Sequence, residues 1–257
     1  TGTTIDVGPN KLVANSAGNV GINTASPETK LTIDSDISTT YSATGYAATL
    51  ANSMMYLNNT NGGSNTASLI NFRTGTGDGL VGFVAGSTNE CDFVVATDGG
   101  SNGIERLRVS NAGIVTKPYQ PAFLATGVTT NNIAIATAGT TLAFSEVFDQ
   151  NSDFSSNTFT APVTGKYQLQ FGLRVDGIDT AAAWVRAVII TPNRQYKTMI
   201  IDPARTFSSD PDYFSLSTSV LADMDAGDTA VVAWGQSGGA ATADLKDDSQ
   251  FSGYLVA

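Results

Sequence analysis

The chain has 257 residues, a formal net charge of −10, a single cysteine and no histidine. Lack of histidine removes Ser-His-Asp and Cys-His catalysis and the usual zinc sites, and the acid excess disfavours a phosphate backbone or an anionic membrane as partner. Apolar residues at 41% suffice for a buried core, while charged residues at only 14% suit short strands and many turns.

That length holds one large or two small domains. Cys91, flanked by Glu90 and Asp92, has no partner for an intrachain disulfide and reads as a packing residue rather than a nucleophile. No run is long enough for a membrane-spanning helix, no secretion signal is visible, and no Gly-rich loop followed by Lys-Ser/Thr is present. The chain opens on Thr1 rather than Met, as a fragment or a processed form does.

Residues 1–34 carry three very short apolar pieces, Leu12-Val13-Ala14, Val20-Gly21-Ile22 and Leu31-Thr32-Ile33, separated by turn-rich segments. Strands this short cannot bury a face alone and need other copies to wrap against. The phrase Gly18-Asn19-Val20-Gly21-Ile22-Asn23-Thr24, with Ser26-Pro27 and Lys30-Leu31 behind it, resembles the repeated shaft phrase of bacteriophage tail fibres and related trimeric surface proteins. An internal echo supports a shaft. Lys11 to Val20 aligns with Arg106 to Val115, 95 positions later, and both copies read basic, strand, Ala-Gly turn, Val.

Between the echoes, residues 35–104 form an interruption. A Ser/Thr/Tyr/Ala-rich stretch from Asp36 to Thr49 leads to Met54-Met55-Tyr56-Leu57 and a turn at Asn61-Gly62-Gly63. Ser68 to Arg73, Leu80 to Val84 and Asp92 to Thr97 read as strands between glycine turns. A small β domain of three to five strands is expected, with Ala47 to Ala51 open as a helical turn. Residues 105–118 then resume the shaft and make the neck, and Lys117-Pro118-Tyr119-Gln120-Pro121 reads as an extended, stiff connector.

Residues 119–257 read as a strand-rich head. In Phe159-Thr160-Ala161-Pro162-Val163-Thr164-Gly165-Lys166-Tyr167-Gln168-Leu169-Gln170-Phe171, a Pro-Gly turn leads into strict alternation. Tyr167, Leu169, Phe171, Leu173 and Val175 fall on one side, with Lys166, Gln168, Gln170 and Arg174 on the other. This phrase resembles the most recognisable strand pair of the C1q/TNF-like jelly roll. Phe123, Glu146-Val147-Phe148-Asp149, Leu221 with Ala226-Gly227-Asp228, and Phe251-Ser252-Gly253-Tyr254 follow in the family's order. Ala182 to Ile190 is apolar on both faces, as in a central strand or one covered on both sides, for instance by a neighbouring subunit. Further strands fit Tyr196–Ile201, Phe214–Val220, Thr229–Trp234 and Phe251–Val256. Long loops at 202–212 and 235–248 join them.

Few residues carry chemistry. The carboxylate pairs Asp210/Asp212 and Asp176/Asp179 are the nearest to a glycosidase arrangement, and both read first as turn residues. Asp223, Asp225 and Asp228 supply alternating acids of the kind calcium takes, without the rest of an EF-hand. Some members of the resembled family bind calcium, so that ion stays open as the one cofactor. Tyr213, after an Asp-Pro-Asp turn, and Trp234, beside Gly235-Gln236-Ser237-Gly238-Gly239, are the receptor-contact candidates, each with core or interface packing as the alternative.

The expected fold class is all-β: a short trimeric β shaft, a small β domain and a C-terminal C1q/TNF-like jelly-roll sandwich. The resemblance implies a homotrimer. The expected function is structural adhesion in a virion fibre, phage tail fibre foremost. Its partners would be a host-surface glycan or protein receptor and other fibre proteins, with no nucleic acid and no membrane insertion. An architectural fibre whose head drives trimerisation is the alternative, and a polysaccharide depolymerase the last.

Overall fold

Short turn-punctuated strands dominate throughout. The computed structural model describes residues 12–35, 53–61, 63–87, 90–100 and 103–257. The stretch from Asp36 to Thr49 and the turn at Ala47–Ala51 lie outside the described residues. The chain forms two compact units, Thr1–Val94 and Val95–Ala257.

The first unit begins with β1 (Leu12–Ala14), β2 (Val20–Ile22) and β3 (Leu31–Ile33). β1 pairs antiparallel with β2, and β2 pairs parallel with β3. The shaft phrase earns each of its residues locally. Asn15 Oδ1 accepts the N–H groups of Ala17 and Asn19, closing the first turn. A side chain at Gly21 would meet the Thr24 carbonyl at 2.7 Å, so only glycine fits. Lys30 Nζ bonds the Ala17 carbonyl at 2.8 Å, tying β3 back to the first turn. The sheet is a single layer, and Leu12, Ile22 and Leu31 stay exposed.

Next come β4 (Ala67–Thr74), β5 (Gly77–Ala85) and β6 (Cys91–Asp98), followed by β7 (Gly103–Val109) and β8 (Val115–Thr116). They lie in chain order in one five-stranded sheet. Met54 to Leu57 forms no strand and is exposed. Cys91 is exposed, which corrects the reading of it as a packing residue.

The echo read in the sequence is a shared hairpin. Ala14 faces Val20, and 95 positions on Val109 faces Val115. Asn15 N–H bonds the Asn19 carbonyl as Ser110 N–H bonds that of Ile114, and Gly18 and Gly113 both take positive φ, 71° and 80°. The second copy lies within residues 105–118, where β7 and β8 pair antiparallel.

The head holds β9 (Ala122–Gly127), β10 (Thr130–Ala134), β11 (Thr140–Thr141), β12 (Phe144–Asp149), β13 (Phe154–Ser155), β14 (Thr158–Thr160), β15 (Gly165–Asp176), β16 (Ala182–Ile190) and β17 (Gln195–Ile201). After α1 (Pro203–Thr206) come β18 (Phe214–Met224), β19 (Thr229–Gly238), β20 (Thr242–Leu245) and β21 (Gln250–Leu255). One sheet runs β12-β9-β21-β15, with β18 on the far side of β15 and β20 and β10 at its end; the other runs β13-β14-β19-β16-β17. This is a two-layer sandwich. Tyr167, Leu169, Phe171, Leu173 and Val175 all point into the core, as their period of two requires.

Phe123 is the centre of that core. Its ring stacks at 4.7 Å on Phe159 and at 5.0 Å on Phe154, and meets Phe251 edge-on at 5.0 Å. The Pro-Gly motif is explained here too. The buried Tyr167 hydroxyl donates to the Val163 carbonyl at 2.7 Å, and Ala161 exchanges backbone bonds with Gly227 and Asp228.

Three differences from the sequence reading have physical causes. The segment Lys117–Gln120 is a turn held to the head, not an extended connector: Gln120 bonds the Leu255 carbonyl, Gln150 that of Lys117 and Asn151 that of Tyr119. The loop read at 235–248 contains the end of β19 and all of β20, because Gly238 still pairs with Ala182. The outward side of β16 is covered from within the chain. Val188 and Ala233 are buried there, Gly139 lies against Ala233, and Arg186 Nη2 holds the carbonyls of Thr137 and Ala138 at 3.1 Å each.

Phe123→Ala is expected to lower stability by about 3–5 kcal/mol, the range for a buried aromatic that leaves a cavity. Urea denaturation followed by tryptophan fluorescence measures it, as a shifted midpoint at constant slope.

Candidate functional site

Tyr213 stands one residue ahead of β18 and is 71% exposed. Its ring lies over the Arg174 guanidinium, 4.9 Å from ring centroid to guanidinium carbon. Arg174 faces outward on β15 because its strand neighbours Leu173 and Val175 face in. Both oxygens of Asp176 accept from it, at 3.2 and 3.1 Å, and Asp248 accepts at 3.2 Å. These two carboxylates hold the guanidinium's proton more tightly than usual. Lys246 Nζ extends the cluster to Asp244 at 3.3 Å and Asn131 at 3.0 Å. The exposed tyrosine therefore rests on a braced cation.

Trp234 is not a surface contact. It is fully buried mid-strand in β19, opposite Ala187 and Thr140, and belongs to the head core. The glycines after it read as a loop, yet the strand runs on to Gly238. Alternation from Ala230 through Val232 already pointed its ring inward.

The acids taken as calcium candidates build a turn. Asp228 Oδ2 accepts from the Asp225 N–H at 3.0 Å and from Asn193 Nδ2 at 3.1 Å, while Asp223 pairs with Arg194 at 3.6 Å. Among the described residues, no three Asp, Glu, Cys or His side chains gather in a way that could hold a metal ion. The carboxylate pairs are likewise spent on loops. Asp179 accepts from the Ala181 and Ala240 N–H groups, and Asp210 from the N–H and hydroxyl of Thr180, which pull its pKa down. Asp176 serves Arg174, and Asp212 is exposed.

A second feature of the head was missed in the sequence. The outward face of the sheet containing β15 carries Leu221, Gln168 and Tyr254 side by side, since Gln168 sits opposite both neighbours. Ser252, Leu124 and Phe148 form the adjoining row. Leu221, Tyr254 and Phe148 are all about half exposed, and the two rows contain no charged side chain.

Asp149 and Asp153 sit near one edge of the sandwich. Asp149 accepts from the Phe154 N–H at 2.6 Å. Burial, then the Asp149 charge, push the Asp153 carboxyl above its ordinary 3.8. A raised carboxyl favours the folded state only at low pH, below the unfolded value, and the advantage disappears as pH rises through the folded one. Asp153→Asn should therefore melt higher than the parent at pH 7 and lose that gain near pH 3, by scanning calorimetry. A lower melting point at pH 7 would contradict this.

A family model described as C1q domain matches residues 122–256. Among solved structures, murine APRIL is similar at 12% identity and a TM-score of 0.40, covering 53% of this chain and 99% of that one. The globular domain of zebrafish complement 1qA protein is similar at 18% identity and a TM-score of 0.39, covering 54% of this chain and 98% of that one. No curated protein matches the sequence. Among the described residues, no helix is long and apolar enough to cross a membrane.

Proposed function

The chain belongs to the C1q domain family through residues 122–256, and from that premise we propose that it is a homotrimeric attachment fibre, specifically a phage tail-fibre component, that docks on a host-cell surface. One observation carries the reading: among the described residues, apolar sheet surface is left uncovered in the shaft strands and in the head. In the shaft, β1–β3 form one layer with Leu12, Ile22 and Leu31 exposed. In the head, Phe148, Leu221 and Tyr254 stand on an uncharged stripe. For a chain of net charge −10, such a stripe is where identical copies can meet without opposing charges. The shaft phrase from Gly18 to Leu31 supports the fibre setting, and the braced Tyr213 supports a contact surface on the head.

The head then acts as assembly domain and the exposed loops as contact surface, with no catalysis. The architectural alternative, a fibre part that only assembles, rests on the same uncharged stripe. Binding of labelled protein to candidate host cells separates the two: attachment expects saturable binding, and the architectural reading expects none.

Leu221→Glu tests the assembly. Three buried carboxylates cannot be desolvated together, so chemical cross-linking should give a trimer band for the parent and mainly monomer for the variant, with unchanged circular dichroism. A trimer band of equal strength in the variant would remove the stripe from the interface.

A further inference from the structure

Beside the start of the β4–β5 hairpin, the first unit contains a cleft of about 620 Å³. That is within the roughly 300–1,000 Å³ of small-ligand sites. One wall is the segment before β4, carrying Tyr56 and Asn58; the other is the β4–β5 hairpin itself, with Ser68 and Phe83; Glu90 lies at the rim. We propose that this cleft binds a neutral saccharide unit.

Two aromatic rings give the first reason. Tyr56 is 62% exposed and Phe83 51%, far more than rings serving only a core. Phe83 is held edge-on by Phe93 at 5.5 Å, so its orientation is set before any ligand arrives. The C–H face of a sugar ring matches such surfaces, because an aromatic face carries partial negative charge and excludes water well.

The polar groups give the second. Asn59 Nδ2 bonds the Ala67 carbonyl at 2.9 Å and its Oδ1 accepts from the Asn61 N–H at 3.1 Å. Thr66 Oγ1 bonds the Asn61 carbonyl at 2.9 Å. These bonds fix the wall to the sheet. Asn58, between them and Tyr56, makes no hydrogen bond among the described residues, which leaves a donor and an acceptor open to a pair of vicinal hydroxyls. Charge gives the third. Among the described residues, Glu90 is the only charged one on the cleft, and it already accepts from the Ser87 hydroxyl. A phosphate or carboxylate ligand would find no cation and one like charge.

The proposal rests on the attachment reading above and narrows its receptor to a neutral glycan, with a contact in the first unit in addition to the one on the head. Saturation-transfer NMR on the full chain tests it, with the methyl glycosides of glucose, galactose, mannose and N-acetylglucosamine as probes and N-acetylneuraminic acid as the anionic control. At least one neutral glycoside should receive saturation at its ring protons, and the anionic sugar should not. Tyr56→Ala and Asn58→Ala should each weaken binding about tenfold with unchanged circular dichroism, while Tyr213→Ala should leave it as in the parent. No transfer to any neutral glycoside, preference for the anionic sugar, or parent-like binding in both cleft variants overturns the proposal. Cell binding that persists under any of those results leaves attachment standing and removes only the saccharide cleft; absence of cell binding removes attachment as well.

Discussion

A β-sheet with an oily side has to put that side against something. In the head the constraint is met inside one chain for the sandwich core, while Phe148, Leu221 and Tyr254 stay exposed on an outer face. Two sheets close over a cluster of phenylalanines, with Phe123 touching Phe154, Phe159 and Phe251, and a loop held by Arg186 covers the far side of β16. In the shaft the same constraint is unmet within the described residues, since β1–β3 are three residues each and make one layer. Two-layer packing is the least arrangement that gives a domain its own core.

The strength of the period-two signal decided what could be read beforehand. In β15 the alternation is unbroken, and each residue assigned to the core is there. The Pro-Gly phrase preceding it was legible as a turn, though its reason, the Tyr167 hydroxyl closing on the Val163 carbonyl, needs three dimensions. The shaft echo was legible as a repeat because the turn geometry is local: Gly18 and Gly113 need positive φ, and Asn15 and Ser110 supply side-chain oxygens nearby.

What escaped depends on partners far apart in the chain. Trp234 looked like a loop residue because glycines follow it, but pairing with β16 carries the strand onward and keeps the ring inside. Two prolines suggest an extended, stiff connector, yet Gln120 reaches Leu255 across 135 positions and fastens the segment as a turn. Arg174 drew no notice as one charge on an alternating strand. Its meaning comes from Asp248, 74 positions away, and from the tyrosine ring above it. Lateral rows such as Leu221, Gln168 and Tyr254 exist only once register is known.

The described residues therefore divide into a head with its own core and an uncharged outer stripe, and a three-stranded sheet whose Leu12, Ile22 and Leu31 stay exposed. Sedimentation equilibrium of the full chain across a hundredfold dilution tests this most directly. The account predicts a mass three times 26.6 kDa at the higher concentrations. A mass of 26.6 kDa throughout, with sheet content and cooperative melting intact, would contradict it.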